Sequence, residues 1–281
     1  MARRIAAIVG LVLIVAGCSS WEDRTLPSGF VTGKSIHHIN VGGRDRSYRL
    51  YKPAGVPASA PLVVMLHGYF GSGRQAERDY HWDELADSAK FVVAYPDGLD
   101  HAWNVDGESC CGRPGREGVD DVGFITAAVA DIGRNVGIDA ARVYASGISN
   151  GGIMSYTLAC STGVFAAIGP DAATQLNSCR SPHPTSVMHI HGTADRLVPY
   201  DGGQGAGVIN GPSAPDLNAF WRKADQCATP QATTNGPITR STAECAHGRS
   251  VMLITIDGGG HADWPSFATG TLWQFFAAHP G

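Results

Sequence analysis

The sequence predicts an α/β protein: a mostly parallel sheet with helices on both faces, preceded by an antiparallel hairpin. Three observations carry that expectation. Short continuous apolar runs recur at Pro61–His67, Phe91–Ala94, Val143–Ser146, Val187–His191 and Met252–Ile256, each the pattern of a strand buried on both faces. Helical patterns stand between them at Trp82–Lys90 and Asp120–Val136. Ahead of them, two alternating polar and apolar stretches, Ser35–Val41 and Arg46–Tyr51, flank Gly42-Gly43, as in a tight hairpin. Strand-helix alternation implies right-handed crossovers and places a site beyond the carboxyl ends of the parallel strands.

Composition narrows the function classes. A chain of 281 residues that is 43% hydrophobic has apolar material for a sizeable core. The 36 glycines, 16 prolines and a charged fraction of 16% argue against a helical rod, a solenoid or a disordered chain. A net charge of -4 with no basic block argues against a nucleic-acid partner.

From the N-terminus, Arg3 and Arg4 precede an apolar run from Ile5 to Ala16. That order and length suit a secretory signal rather than a membrane span. The run ends Val15-Ala16-Gly17-Cys18, which resembles the lipobox of bacterial lipoproteins. The resemblance implies a diacylglycerol on Cys18 and a signal peptide over residues 1–17; residues 18–33 lack periodicity and read as a tether ahead of one domain over 34–281. An ordinary secretory signal is the alternative. Export leaves six further cysteines in an oxidising compartment. Sequence neighbours favour Cys160 with Cys179 and Cys227 with Cys245; Cys110 and Cys111 are then a vicinal bridge or a free pair. No C-x-x-C or histidine spacing supports a metal site.

Along the domain, Asp120 or Asp121 is the N-cap of a helix that carries Phe124, Ile125, Ala128, Val129 and Ile132 at helical spacing. Asp97–Gly118 reads as a long insertion at the strand ends, where loops often line a site. Asp201–Pro215 is glycine-rich and reads as a surface loop.

Gly147-Ile148-Ser149-Asn150-Gly151-Gly152 follows the strand Val143–Ser146 and leads into a helical stretch from Ile153 to Leu158. This is G-x-S-x-G in strand-turn-helix context, where small residues permit a sharp turn that lifts Ser149 Oγ above the sheet. The helix start aims its amides at the same spot. A serine needs a base and the base a carboxylate, in the order serine, acid, histidine along such chains. Asp195 follows the strand Val187–His191, and His261 follows Met252–Ile256 through three glycines. His191 is the next candidate for the base; Asp257 and Asp263 lie too near His261 to be favoured as the acid. Two backbone donors should hold the oxyanion: Asn150, and Tyr69 in His67-Gly68-Tyr69-Phe70-Gly71-Ser72-Gly73. The latter loop lacks the G-K-[ST] ending of a nucleotide site. No cofactor is expected.

Eight motifs occur in order: Leu66–Tyr69, Tyr95–Gly98, Trp103-Asn104, Cys110–Gly112, Val119–Phe124, Gly147–Gly152, His191–Asp195 and Gly258–His261. Together they resemble the secreted polyhydroxybutyrate depolymerase and feruloyl esterase family of α/β-hydrolases. The resemblance implies a serine carboxylesterase with Ser149, Asp195 and His261 as its triad and a pocket built partly from Trp103 and Trp264. Ala262-Asp263-Trp264-Pro265 departs from the family, many of whose members have a shorter step from histidine to tryptophan. The expected function is that of an exported, membrane-anchored esterase for feruloyl-type or other short acyl esters. A polyester depolymerase, a peptidase and a catalytically silent binding lipoprotein are the alternatives.

Overall fold

Residues 26–106, 110–261 and 264–281 are described by a computed structural model of the chain. Cys18, the signal segment, the first part of the tether and Asp263 lie outside the described residues. The hairpin forms as β1 (Gly33–Val41) and β2 (Arg44–Lys52), paired Val41 to Arg44 across the two glycines. Phe30, within the expected tether, stacks on His37 at 4.1 Å between centroids.

The apolar runs become β3 (Ala60–Leu66), β4 (Val92–Pro96) and β5 (Ile138–Ile148). Between β3 and β4 lie α1 (Gly73–Asp79) and α2 (Trp82–Ala89), and between β4 and β5 lie α3 (Gly112–Arg116) and α4 (Asp121–Val136). Asp120 caps α4, its carboxylate accepting the Gly123 amide at 2.7 Å. The chain continues through α5 (Asn150–Ser161), β6 (Ala167–Asp171) and β7 (Ser186–Gly192), then a small pair, β8 (Gly203–Gln204) and β9 (Asn210–Gly211). It closes with α6 (Ala214–Ala224), β10 (Gln231–Asn235), β11 (Ile238–Glu244), β12 (Ser250–Ile256) and α7 (Ala268–Ala278).

The main sheet runs β1-β2-β4-β3-β5-β6-β7-β12-β11-β10. From β4 to β12 every pairing is parallel, while the outer pairs at both ends are antiparallel. Side chains alternate across β3: Leu62, Val64 and Leu66 join one apolar layer with Phe124, Ile125 and Trp221, and Val63 and Met65 join the other with Trp82, Phe91 and Phe276. Burial of both faces is why this strand carries no polar alternation.

Several elements lie outside the sequence expectation: α3 within the insertion Asp97–Gly118, then α6, β11 and α7, and those that follow. The helix α1 follows the His67 loop with Ser72 as its cap, Oγ accepting the Gln75 amide at 3.1 Å. The Gly-rich stretch Asp201–Pro215 holds the β8–β9 pair instead of a plain loop. β6 was not predicted, because Ala167–Asp171 contains glycine and proline that mask its burial. β10 was not predicted, because Gln231–Asn235 is exposed throughout and shows no apolar face.

Candidate active site

Ser149 stands where β5 turns into α5, in a backbone conformation of φ 55° and ψ −123°. The turn is so tight that a Cβ on Gly147 would lie 2.5 Å from the Gly151 backbone, and one on Gly151 2.4 Å from the Leu66 carbonyl oxygen. Glycine is therefore required at both positions. The Ser149 amide donates to the Asp171 carbonyl at 2.9 Å, tying the turn to the neighbouring strand end.

His261 Nε2 lies 2.8 Å from Ser149 Oγ, and His261 Nδ1 lies 2.8 Å from Asp195 Oδ2. Three separate strand ends thus bring together side chains up to 112 residues apart. The turn after β7 presents the Asp195 carboxylate: Oδ1 accepts the Leu197 and Val198 amides, each at 2.9 Å. Burial by itself would push the Asp195 carboxyl up. Hydrogen bonds from His191, His261 and the Val198 amide outweigh it and hold the group well below the ordinary carboxylate range. Gly192 permits the close approach of the histidine loop, since a Cβ there would meet the Gly259 carbonyl oxygen at 2.2 Å.

His191 does not face Ser149. It is buried, with Nε2 at 2.9 Å from the Val198 carbonyl and 3.2 Å from Asp195 Oδ2. Asp257 is turned to Thr193, whose hydroxyl donates to it at 3.2 Å.

The loop after β3 lies against Ser149: a Cβ on Gly68 would sit 3.6 Å from Ser149 Cβ. His67 fixes this loop, with Nδ1–H donating to the Gly68 carbonyl at 2.8 Å and Nε2 accepting the Gly98 amide at 2.9 Å. Burial pushes the His67 imidazole down to about 4, which suits a ring locked in one neutral tautomer. Asn150 opens α5, where the first amides of a helix have no partner within it.

A cleft of about 810 Å³ opens over Ser149 and His261. Its walls include Tyr69, Phe70, Leu197, Val208 and Ile209, with Arg116 as a permanent cation among them. Val208 and Ile209 belong to the stretch expected as a surface loop; their apolar pair among glycines was the available signal.

The two tryptophans expected in the pocket are placed elsewhere. Trp103 is fully buried; its indole N–H donates to the His67 carbonyl at 2.9 Å and its ring lies against His67. It therefore supports the loop from below rather than meeting a ligand. Trp264 donates to the Thr269 hydroxyl at 2.8 Å and leans on Tyr80 at 5.0 Å, so it reaches the cleft only through Tyr80. The cysteines are joined Cys160–Cys179, Cys227–Cys245 and Cys110–Cys111, and Cys111 borders the cleft. Among the described residues no His, Cys, Asp and Glu grouping of three or more is placed to hold a metal, and no helix is long and apolar enough to cross a membrane.

Comparison with known proteins agrees with the fold. An acetyl xylan esterase from Aspergillus awamori superposes with a TM-score of 0.66 at 15% identity, covering 87% of this chain and 99% of that one. An S-formylglutathione hydrolase from Agrobacterium tumefaciens gives 0.58 at 14% identity, over 88% and 95%. In sequence, a Nocardia uniformis protein named as an esterase is 34% identical over 82% of this chain and 74% of its own. Feruloyl esterase B of Piromyces equi is 32% identical over 73% of this chain, which spans only 40% of that protein. Feruloyl esterase C of Emericella nidulans is 29% identical over 93% and 90%. Residues 46–201 match the family described as Esterase PHB depolymerase, and with the α/β-hydrolase architecture around Ser149 this chain belongs to that family.

Proposed function

We propose that the chain is a serine carboxylic ester hydrolase that acts through an acyl-enzyme on feruloyl-type or other short acyl esters. The observation that carries the reading is the unbroken series from Ser149 Oγ through His261 to Asp195, both links at 2.8 Å, opening on an apolar cleft. His261 Nε2 takes the hydroxyl proton as Ser149 Oγ attacks the ester carbonyl, while Asp195 holds Nδ1–H and stabilises the imidazolium. The oxyanion is held by the amides of Asn150 and Tyr69. Collapse of the tetrahedral intermediate breaks the ester bond, and the departing alcohol takes its proton from His261. Water then repeats the sequence on the acyl-serine.

Relatives named as feruloyl esterases and as a bifunctional acetylxylan esterase/xylanase favour an acetyl or aromatic acyl group, and the walls formed by Tyr69, Phe70 and Ile209 are suited to either. A fluorophosphonate probe tests the reading: labelling of the mature protein that vanishes in Ser149→Ala supports it. A folded protein that stays unlabelled would instead be a silent binding protein. A panel of nitrophenyl, feruloyl and hydroxybutyrate esters assigns the acyl group.

One observation favours the polyester alternative. Phe70, Leu197 and Val208 stand exposed at the cleft mouth, where they can rest on a solid polymer; clearing of a polyhydroxybutyrate suspension tests this. We also propose export and lipid anchoring at Cys18, supported by the lipobox and by disulfides that need an oxidising compartment. Cys18→Ala should move the esterase from the membrane to the soluble fraction with its activity intact, and unchanged detergent partitioning would refute the anchor.

A further inference from the structure

The second oxygen of the Asp195 carboxylate is met by two imidazoles. His261 Nδ1 lies 2.8 Å from Oδ2, and His191 Nε2 lies 3.2 Å from the same atom. No step of the hydrolysis above uses His191, which sits on β7 and is 1% exposed. Behind it the contacts continue away from the cleft. His191 Nδ1 is 3.0 Å from His189 Nε2, and His189 Nδ1 is 3.0 Å from the Tyr156 hydroxyl on α5.

The partners settle the direction of each bond. His191 Nε2 faces the Val198 carbonyl and an ionised carboxylate; neither can donate, so Nε2 carries a proton. Complete burial holds His189 well below the ordinary imidazole range, with the His191 ring adding to the effect, so His189 carries a single ring proton. The arrangement that adds no further charge to the interior has Tyr156 O–H donating to His189 Nδ1, His189 Nε2–H to His191 Nδ1, and His191 Nε2–H to Asp195. Every donor points toward the carboxylate.

We propose, resting on the serine-esterase reading, that His191 is a positioning residue for Asp195 and that His189 and Tyr156 fix the direction of its hydrogen bond. The amides of Leu197 and Val198 already hold Oδ1. His191 therefore sets how much negative charge Oδ2 keeps for the imidazolium of His261. Donation from His191 draws on that charge, weakens the hold on the imidazolium and leaves His261 readier to pass its proton to the leaving alcohol. The other groups in reach are few. Asp171, at the end of β6, also faces Asp195; the Tyr200 ring meets His191 edge-on at 5.6 Å; the Ala173 backbone faces His189.

The test uses the full chain, with kcat, KM, the pH profile of kcat/KM and melting temperature measured for His191→Leu, His191→Gln and Tyr156→Phe. Wild type is first treated with the fluorophosphonate. Absence of labelling overturns the esterase reading and this inference with it, whereas a labelled wild type makes the variants decisive. His191→Leu should lower kcat about tenfold or more with KM within about twofold, and move the acid limb of kcat/KM up by about half a pH unit. His191→Gln, whose amide can still donate to Oδ2, should recover most of both. Tyr156→Phe should shift the limb in the same direction by a few tenths. A limb that stays in place in the leucine and phenylalanine variants while the melting temperature falls overturns the proposal, as does a glutamine variant no better than leucine. Should the leucine variant not fold, Tyr156→Phe decides alone: a raised limb supports the chain and an unmoved limb overturns it.

Discussion

Asn150 and Trp103 hold one another in both directions: the Trp103 amide donates to Asn150 Oδ1 at 2.8 Å, and Asn150 Nδ2 donates to the Trp103 carbonyl at 3.1 Å. The long insertion after β4 is thereby lashed to the residue that follows Ser149. Both residues are buried, so an Asn150→Ala variant leaves two backbone groups unpaired in the interior. It should lose about 1–3 kcal/mol of stability and about a tenfold share of kcat through looser geometry at Ser149. Chemical denaturation beside steady-state kinetics checks both, with fluorophosphonate labelling retained because the backbone N–H at position 150 remains.

The acid is assigned by a second substitution. Asp195→Asn should keep the fold and lower kcat by roughly three to four orders of magnitude through the wrong His261 tautomer. Asp257→Asn should cost only severalfold, since Asp257 serves Thr193 and not His261. Retention of more than about a tenth of the activity in Asp195→Asn would displace it as the acid.

His67 should weaken the fold in acid above the range where an ordinary carboxylate titrates. The His67 imidazole is pushed down to about 4 by burial, against about 6.5 in the unfolded chain. Above 6.5 neither state takes up a proton and His67 is neutral to stability. Below it the unfolded chain binds a proton that the folded one refuses, so stability falls as pH drops from about 6.5 to 4, by up to about 3 kcal/mol. His189 acts in the same direction. Asp195 acts in the same direction over a lower range: its carboxyl is depressed, so the stability it contributes is present above about 4 and is lost only below. Burial pushes the Asp83 carboxyl up to about 6 and raises that of Asp171, which favours the fold on acidification, so the His67 effect is read as a difference: between pH 8 and 5 the urea midpoint of wild type should fall relative to that of His67→Gln.

Removing the bridge between Cys160 and Cys179, which closes a separation of 19 residues, should cost about 3 kcal/mol in the chain-entropy view. Calorimetry of the paired serine variant measures it. Peptide mapping without reductant should recover Cys227 joined to Cys245.

Local chemistry explains which parts of this protein were legible. β3 and the Val143–Ile148 half of β5 run without polar alternation because both faces are buried, and the Ser149 turn has to be glycine-rich because backbone atoms crowd it; such constraints are written into adjacent residues. β10 is polar along its whole length and exists because β11 offers an edge to pair with, which no local pattern records. The same limit explains Trp103 and Trp264. An aromatic residue beside a cleft and one beneath it look alike in sequence, and only the His67 carbonyl and the Thr269 hydroxyl show which way each indole turns. The His191 contact to Asp195 was hidden for a related reason, since it depends on a turn that folds the acid back over its own strand.

The conformation of Ser149, at φ 55° and ψ −123°, is one that glycine adopts freely and serine does not. A Ser149→Gly protein should therefore be inert yet more thermostable than the parent, by about 1 kcal/mol after the greater freedom of glycine in the unfolded chain is offset. With Ser149 as the proposed nucleophile, reactivity and durability are opposed at a single residue. A lineage released from selection for hydrolysis would drift toward glycine there and become sturdier as it fell silent.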